Sequence, residues 1–179
     1  PILKANPVHE QEGVVYFRTH YYGGIKKYQW PTIPLALIGV IYTRDGKKVE
    51  INVGMKEGDP IFYVSDLLIH MAQDQMKKTL AEGITGEQLQ AIAWTNAEGK
   101  AKPKELFMKW LKDTYGIEEE DFATAELELV PATKSRDVGF DRSLIASYGQ
   151  DDRVCSYANL EAILDAKPGV KTQAALLTD

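Results

Sequence analysis

Cysteine is all but missing from this sequence: Cys155 is the only one in 179 residues. An internal disulfide is therefore excluded, and the composition suits a reducing compartment such as the cytoplasm. Long apolar runs are lacking too, since none approaches the roughly 20 residues that a membrane-spanning helix needs. There is no excess of positive charge. Lys and Arg number 21 against 26 Asp and Glu, a net charge of −5, which argues against nucleic acid and anionic membrane as partners. Histidine is scarce, and His9 and His20 stand at no metal-ligand spacing from each other, so both read as structural or surface residues. No secretory leader is visible, although the chain opens on Pro1 rather than Met, which leaves upstream sequence open. Internal repeats and low-complexity tracts are absent.

What is present is an ordinary globular composition, 44% apolar and 26% charged. A chain of this length buries roughly 70% of its unfolded surface, enough for one core or one core with an appendage. The first third reads as a small antiparallel sheet of two to four strands. Val14-Val15-Tyr16-Phe17 is β-branched and aromatic, and 35–43 is apolar on both faces. Arg44-Asp45-Gly46-Lys47 then supplies an Asp-Gly hairpin turn. Val49, Ile51 and Val53 alternate with Lys48, Glu50 and Asn52 in a half-buried return strand. Residues 60–64 give a further short strand.

Helix signals follow. Ser65 is placed as an N-cap, with Asp66 in the first turn, Lys77 and Lys78 in the last, and Leu67, Leu68, Met71 and Gln75 on one face. Thr85-Gly86-Glu87-Gln88 has capping-box spacing, but 89–94 is short and reads better as a strand than as a helix. Pro103 opens a second helix with Leu106, Phe107, Trp110 and Leu111, and Gly116 stops it. Ala125, Leu127 and Leu129 form a strand that Pro131 ends.

The last third has a different character. Val154, Tyr157, Ala158, Ala162 and Ile163 make a helical stripe from Asp151 to about Asp165. After Lys167-Pro168-Gly169, the nearly continuous apolar run 172–177 is predicted to be a strand buried on both faces, as in a parallel α/β sheet. Nothing follows to cover such a strand, so the chain reads as a piece of something larger. At the head of the helix, Tyr148-Gly149-Gln150-Asp151-Asp152-Arg153 places two carboxylates and an arginine in a tight turn. Either an aspartate caps the helix, or one of the pair ligates a metal. Gly23-Gly24 lacks the Lys-Ser/Thr and following helix of a phosphate loop. Trp30, Trp94 and Trp110 read as core or interface anchors, and Cys155 as a small buried hydrophobe. Composition and periodicity alone thus support an α+β protein with an acidic helix start.

Four blocks extend this reading. His20-Tyr21-Tyr22-Gly23-Gly24-Ile25-Lys26-Lys27-Tyr28-Gln29-Trp30 resembles the Tyr-Gly-Gly segment of the aspartyl aminopeptidase / aminopeptidase I family of dinuclear zinc exopeptidases. Glu128-Leu129-Val130-Pro131-Ala132, Arg136-Asp137-Val138-Gly139-Phe140-Asp141 and Gly149-Gln150-Asp151-Asp152-Arg153 resemble its bacterial members. The resemblance covers essentially the whole chain and keeps the blocks in order. It implies a β-rich, barrel- or sandwich-like dimerisation and substrate-gating domain with about two helices over 1–140. A helix–strand piece of an α/β catalytic domain would then occupy 141–179.

The family holds two zinc ions with a His-x-Asp pair, a bridging Asp, a Glu-Glu pair, a further Asp and a late His. The bridging position matches Asp151. The His-x-Asp pair is expected upstream of Pro1 and the Glu-Glu pair, with its general base, beyond Asp179. One carboxylate cannot hold zinc in a four-coordinate site, so the chain alone is expected to be inert. Asp152 either orients the ligand or caps the helix, and Arg153 is expected to neutralise the acid pair. His70 has an ordinary reading as a helix-surface histidine. The resemblance implies instead that it reaches into a partner subunit's active site and helps stabilise the tetrahedral intermediate. Homo-oligomers and peptide substrates are implied as well. The alternative is a stand-alone, non-catalytic β-rich interaction module.

Overall fold

In the computed structural model, which describes residues 1–95, 99 and 102–178, the Asp45-Gly46 turn folds strand β3 (Leu35–Tyr42) onto β4 (Lys48–Val53). The Gly46 amide donates to the Thr43 carbonyl at 2.8 Å, and the Thr43 amide to Lys47 O at 2.9 Å. Gly46 takes φ +82°, the left-handed region that closes such a hairpin without a Cβ penalty. Val49 and Ile51 are buried while Lys48, Glu50 and Asn52 face outward, as the period of two requires.

Four more strands complete an antiparallel sheet: β1 (Ile2–Gln11), β2 (Val14–His20), β5 (Gln90–Thr95) and β6 (Glu126–Pro131). Their order is β4-β3-β6-β1-β2-β5. Strand β1 was not anticipated. It turns into β2 through Glu12 and Gly13, both at positive φ (51° and 79°), the geometry of a two-residue hairpin. Its register slips between Leu3 and Val8. The strand expected over 60–64 contracts to two isolated bridges, Leu35↔Phe62 and Tyr63↔Ile92. Those bridges link residues 62 and 63 to the start of β3 and to β5, while the six-stranded sheet stays open.

Helix α1 (Pro103–Tyr115) forms where expected, with Pro at its start and Gly116 in the left-handed conformation at its end. It lays Phe107 and Leu111 into the core, where Phe107 meets Phe17 edge to face at 5.7 Å. The helix predicted from Ser65 does not form. Residues 65–68 are irregular and 69–83 run through a succession of turns. Asp66 Oδ1 accepts from the neighbouring Leu67 amide at 2.8 Å and from Gln75 Nε2 at 2.9 Å. The intended apolar face has nothing to pack on here, and Leu67, Leu68 and Met71 are all exposed. An amphipathic stripe without a covering surface cannot sustain a helix on propensity alone.

Contacts divide the chain into two units, Pro1–Ala132 and Thr133–Asp179. The second carries the hairpin β7 (Arg136–Val138) and β8 (Leu144–Ala146), then helix α2 (Gln150–Asp165). None of its described residues is buried. Two expectations fail for that reason. Residues 172–177 form no strand, and Leu176 and Leu177 are exposed, because a doubly buried strand needs parallel neighbours and no described strand pairs with them. Cys155, read as a buried hydrophobe, is exposed on α2, as are Val154 and Tyr157 of the apolar stripe.

Candidate functional site

The acidic turn is built from both sides. On its N-terminal side, β7 and β8 pair in register from Arg136↔Ala146 to Val138↔Leu144. The Ser135 and Ser147 hydroxyls lie 2.8 Å apart at the open end of that hairpin. At its closed end Gly139 adopts φ +80°, and the Arg142 amide donates to its carbonyl at 3.3 Å. The chain then reverses at Gly149, again left-handed at φ +79°. Gln150 Nε2 donates back to Ile145 O at 3.2 Å.

On the C-terminal side, Arg153 folds under the turn. Its Nη1 donates to the Tyr148 carbonyl at 3.2 Å, which straps the six-residue run into a loop. Asp151 (φ −91°, ψ 117°) and Asp152 (φ −100°, ψ 15°) are both non-helical, and the peptide between them is cis. The regular helix therefore begins after the acid pair. Asp151 presents its carboxylate on an extended residue at the exposed apex of the turn. The sequence located this run but missed the hairpin feeding it, whose one sequence signal was Gly139.

His70 lies in the first unit, in the turn that spans 69–71, and is exposed. It sits on a loop rather than on a helix face. Leu68, Ile69 and Met71 beside it are exposed by 57, 64 and 68%, an apolar setting unusual for an open loop. His9 is half-buried on β1 and His20 exposed at the end of β2.

Zinc needs about four N, O or S donors in a tetrahedral set. Among the described residues no group of three or more His, Cys, Asp or Glu stands close enough to hold a metal ion. Asp151 by itself does not fit a complete zinc site. No helix among the described residues is long and apolar enough to cross a membrane.

Known proteins match this chain along its length. The sequence profile described as aminopeptidase I zinc metalloprotease (M18) matches residues 2–177. A probable M18 family aminopeptidase 1 from Clostridium acetobutylicum is 49% identical over 181 residues, covering 99% of this chain and 39% of the relative. Its counterpart from Thermotoga maritima is 48% identical over 169 residues, covering 93% and 37%. The crystal structure of the M18 aminopeptidase from Thermotoga maritima superposes with a TM-score of 0.85 at 47% identity, over 93% of this chain and 37% of that one. Aminopeptidase I from Clostridium acetobutylicum gives 0.83 at 46% identity, with the same coverage. The chain thus spans under two-fifths of the length of these relatives.

Proposed function

The chain belongs to the aminopeptidase I zinc metalloprotease family (M18), and on that premise we propose that it is part of an aminopeptidase removing N-terminal residues from peptides, to which it supplies subunit association and one bridging zinc ligand. The ligand is Asp151. The observation that carries this reading is the strapped turn itself. Gly149, Gln150 and Arg153 hold the loop, and the first carboxylate stands out at its apex. A fixed, solvent-facing carboxylate is what a shared metal would use, since the entropy of ordering the ligand is already spent.

The remaining donors come from outside these 179 residues in this reading, so the isolated chain is inert and binds zinc weakly. Asp152 orients its neighbour, and Arg153, through the Tyr148 carbonyl, holds the turn's shape. The first unit, with its own core, is the association module. Its exposed loop around His70 is the element that enters a partner subunit's site. The protein works as a homo-oligomer in the cytoplasm, on peptides.

The test compares two samples. In the parent-length protein, Asp151→Asn should remove bound zinc measured by elemental analysis and abolish hydrolysis of an aminoacyl-anilide. The purified 179-residue chain should show neither zinc nor turnover. Turnover by the isolated chain, or full zinc content in the Asp151 variant, would overturn the reading. The self-contained core of the first unit also favours a second reading, a stand-alone interaction module without chemistry. The gene decides between them. His-x-Asp ahead of Pro1 and Glu-Glu after Asp179 establish the enzyme, and their absence establishes the module.

A further inference from the structure

The face of the sheet that α1 covers is not filled. Between them lies a cavity of about 220 Å³. Its deep walls are Phe17, Leu37 and Leu127 of the sheet, Phe107 and Leu111 of α1, and Phe122, all buried. The lining residues that reach the surface are Pro60, Ile61 and Trp110, and these mark the mouth. Among the described residues no charged side chain lines it. The described lining residues whose side chains carry a polar group are Trp94, Trp110 and Tyr115.

We infer that this cavity is a binding site for a small neutral aromatic molecule of one or two fused rings, entering between Ile61 and Trp110. Size sets the first limit. An apolar cavity of about 150 Å³ lined by Leu, Ile and Phe stays dry and takes up benzene, and this one is larger with the same kind of lining. Chemistry sets the second. With no countercharge among the described lining residues, a carboxylate or ammonium ligand would be stripped of water without compensation. Geometry sets the third. Trp94 lies 5.8 Å from Phe107 and 5.4 Å from Trp110 at tilted angles, and Phe17 presents itself edge-on to Phe107. A further ring inserted there meets both faces and edges, the arrangement in which aromatic pairs gain beyond buried area. Because a void forfeits the contacts of every atom lining it, an occupant stabilises the fold directly.

Titration of the full chain with toluene, read by the fluorescence of Trp94 and Trp110 and by the thermal midpoint, tests this site. A saturable fluorescence change is expected, with a midpoint rise of several degrees at saturation. Benzoate, with the same ring but a charged carboxylate in place of the methyl group, should give neither. Ala93→Leu, which places its side chain into the cavity, should weaken the toluene response at least tenfold while folding normally. Should that variant fail to fold, the shift of dissolved xenon-129 in the unaltered chain reports the cavity independently. A non-saturating toluene response overturns the inference, as does benzoate binding as tightly as toluene. So does a tryptophan signal that follows protein concentration instead of toluene, since a second copy would then be covering the mouth.

Discussion

Asp121 reaches across 77 residues of sequence to Arg44: the Arg44 backbone amide donates to Asp121 Oδ1 at 3.1 Å. The other carboxylate oxygen accepts from the Glu118 amide at 2.8 Å, closing a capping box at the start of the 3-10 turn over Glu119–Thr124. Asp121 is only 5% exposed and has no ion-pair partner within 4 Å among the described residues. Thr124 Oγ1 adds a 2.6 Å bond to the Tyr42 carbonyl, so two side chains pin this segment to the β3–β4 hairpin. Asp121→Ala leaves two amides without acceptors and should cost about 2–3 kcal/mol. Asp121→Asn keeps one acceptor and should cost about half as much. Urea unfolding of the two variants checks the order, and equal losses would show that the carboxylate geometry is irrelevant.

Gly39 is a second point at which β3 has no freedom. It sits in mid-strand at φ +137°, and a Cβ there would fall 1.9 Å from the Glu126 carbonyl oxygen of β6. Relief requires backbone movement, which splits the β3–β6 pairing at the centre of the sheet. Gly39→Ala should therefore cost at least about 4 kcal/mol, in the range reserved for backbone strain and lost networks, and should leave little folded protein. Gly116→Ala makes the control. Gly116 is also left-handed, at φ +72°, but has open space around it, so only the conformational penalty of about 1–2 kcal/mol applies. Thermal melts of both variants should separate them clearly.

Acid sensitivity should be visible at Asp59. Hydrogen bonds from the Lys56 and Gly54 amides, each 3.1 Å to Oδ2, hold its carboxyl below the usual range. A depressed folded-state pKa contributes stability that is fully present above the ordinary aspartate value of about 3.9 and is lost as pH falls through the folded value beneath it. The Gly54 and Lys56 amide resonances should thus titrate with a midpoint below about 3.9. Asp59→Asn should erase that titration while leaving the neutral-pH spectrum of the sheet unchanged. A midpoint at or above the ordinary value would mean that the loop does not hold the carboxylate.

These residues also show what the sequence made legible. The β3–β4 hairpin was readable because Asp45-Gly46 and the alternation of Val49, Ile51 and Val53 act locally. Helix α1 was readable because Pro103 and Gly116 punctuate it. Strand β1 was not, since Lys4, Asn6 and His9 blur its alternation, and its burial at Leu3 and Val8 depends on β2 and β6. The helix expected from Ser65 and the strand expected at 172–177 have correct patterns but no surface to cover them. The acid turn was found by its residues, but the strap from Arg153 to the Tyr148 carbonyl depends on chain reversal at Gly149. The Asp121 tie left no trace in any local window.

The role proposed for His70 makes a prediction that separates position from stability. An exposed loop histidine contributes little to folding, so His70→Ala should shift stability by less than about 0.5 kcal/mol. In the parent enzyme it should lower turnover at least tenfold with a smaller change in KM, because the interaction is made chiefly in the transition state. Whether the histidine acts across an interface is settled by mixing. Take subunits carrying His70→Ala, which keep at most about a tenth of native turnover, and subunits carrying Asp151→Asn, which are inactive alone, and let them exchange. In a two-fold dimer, half of the assemblies are then mixed. Each mixed dimer joins an intact Asp151 from one chain to an intact His70 from the other, and carries one working site. Recovery of about a quarter of the native turnover is the expected result for such a pairing. A histidine serving its own subunit would give no recovery, because every site would lack one group or the other.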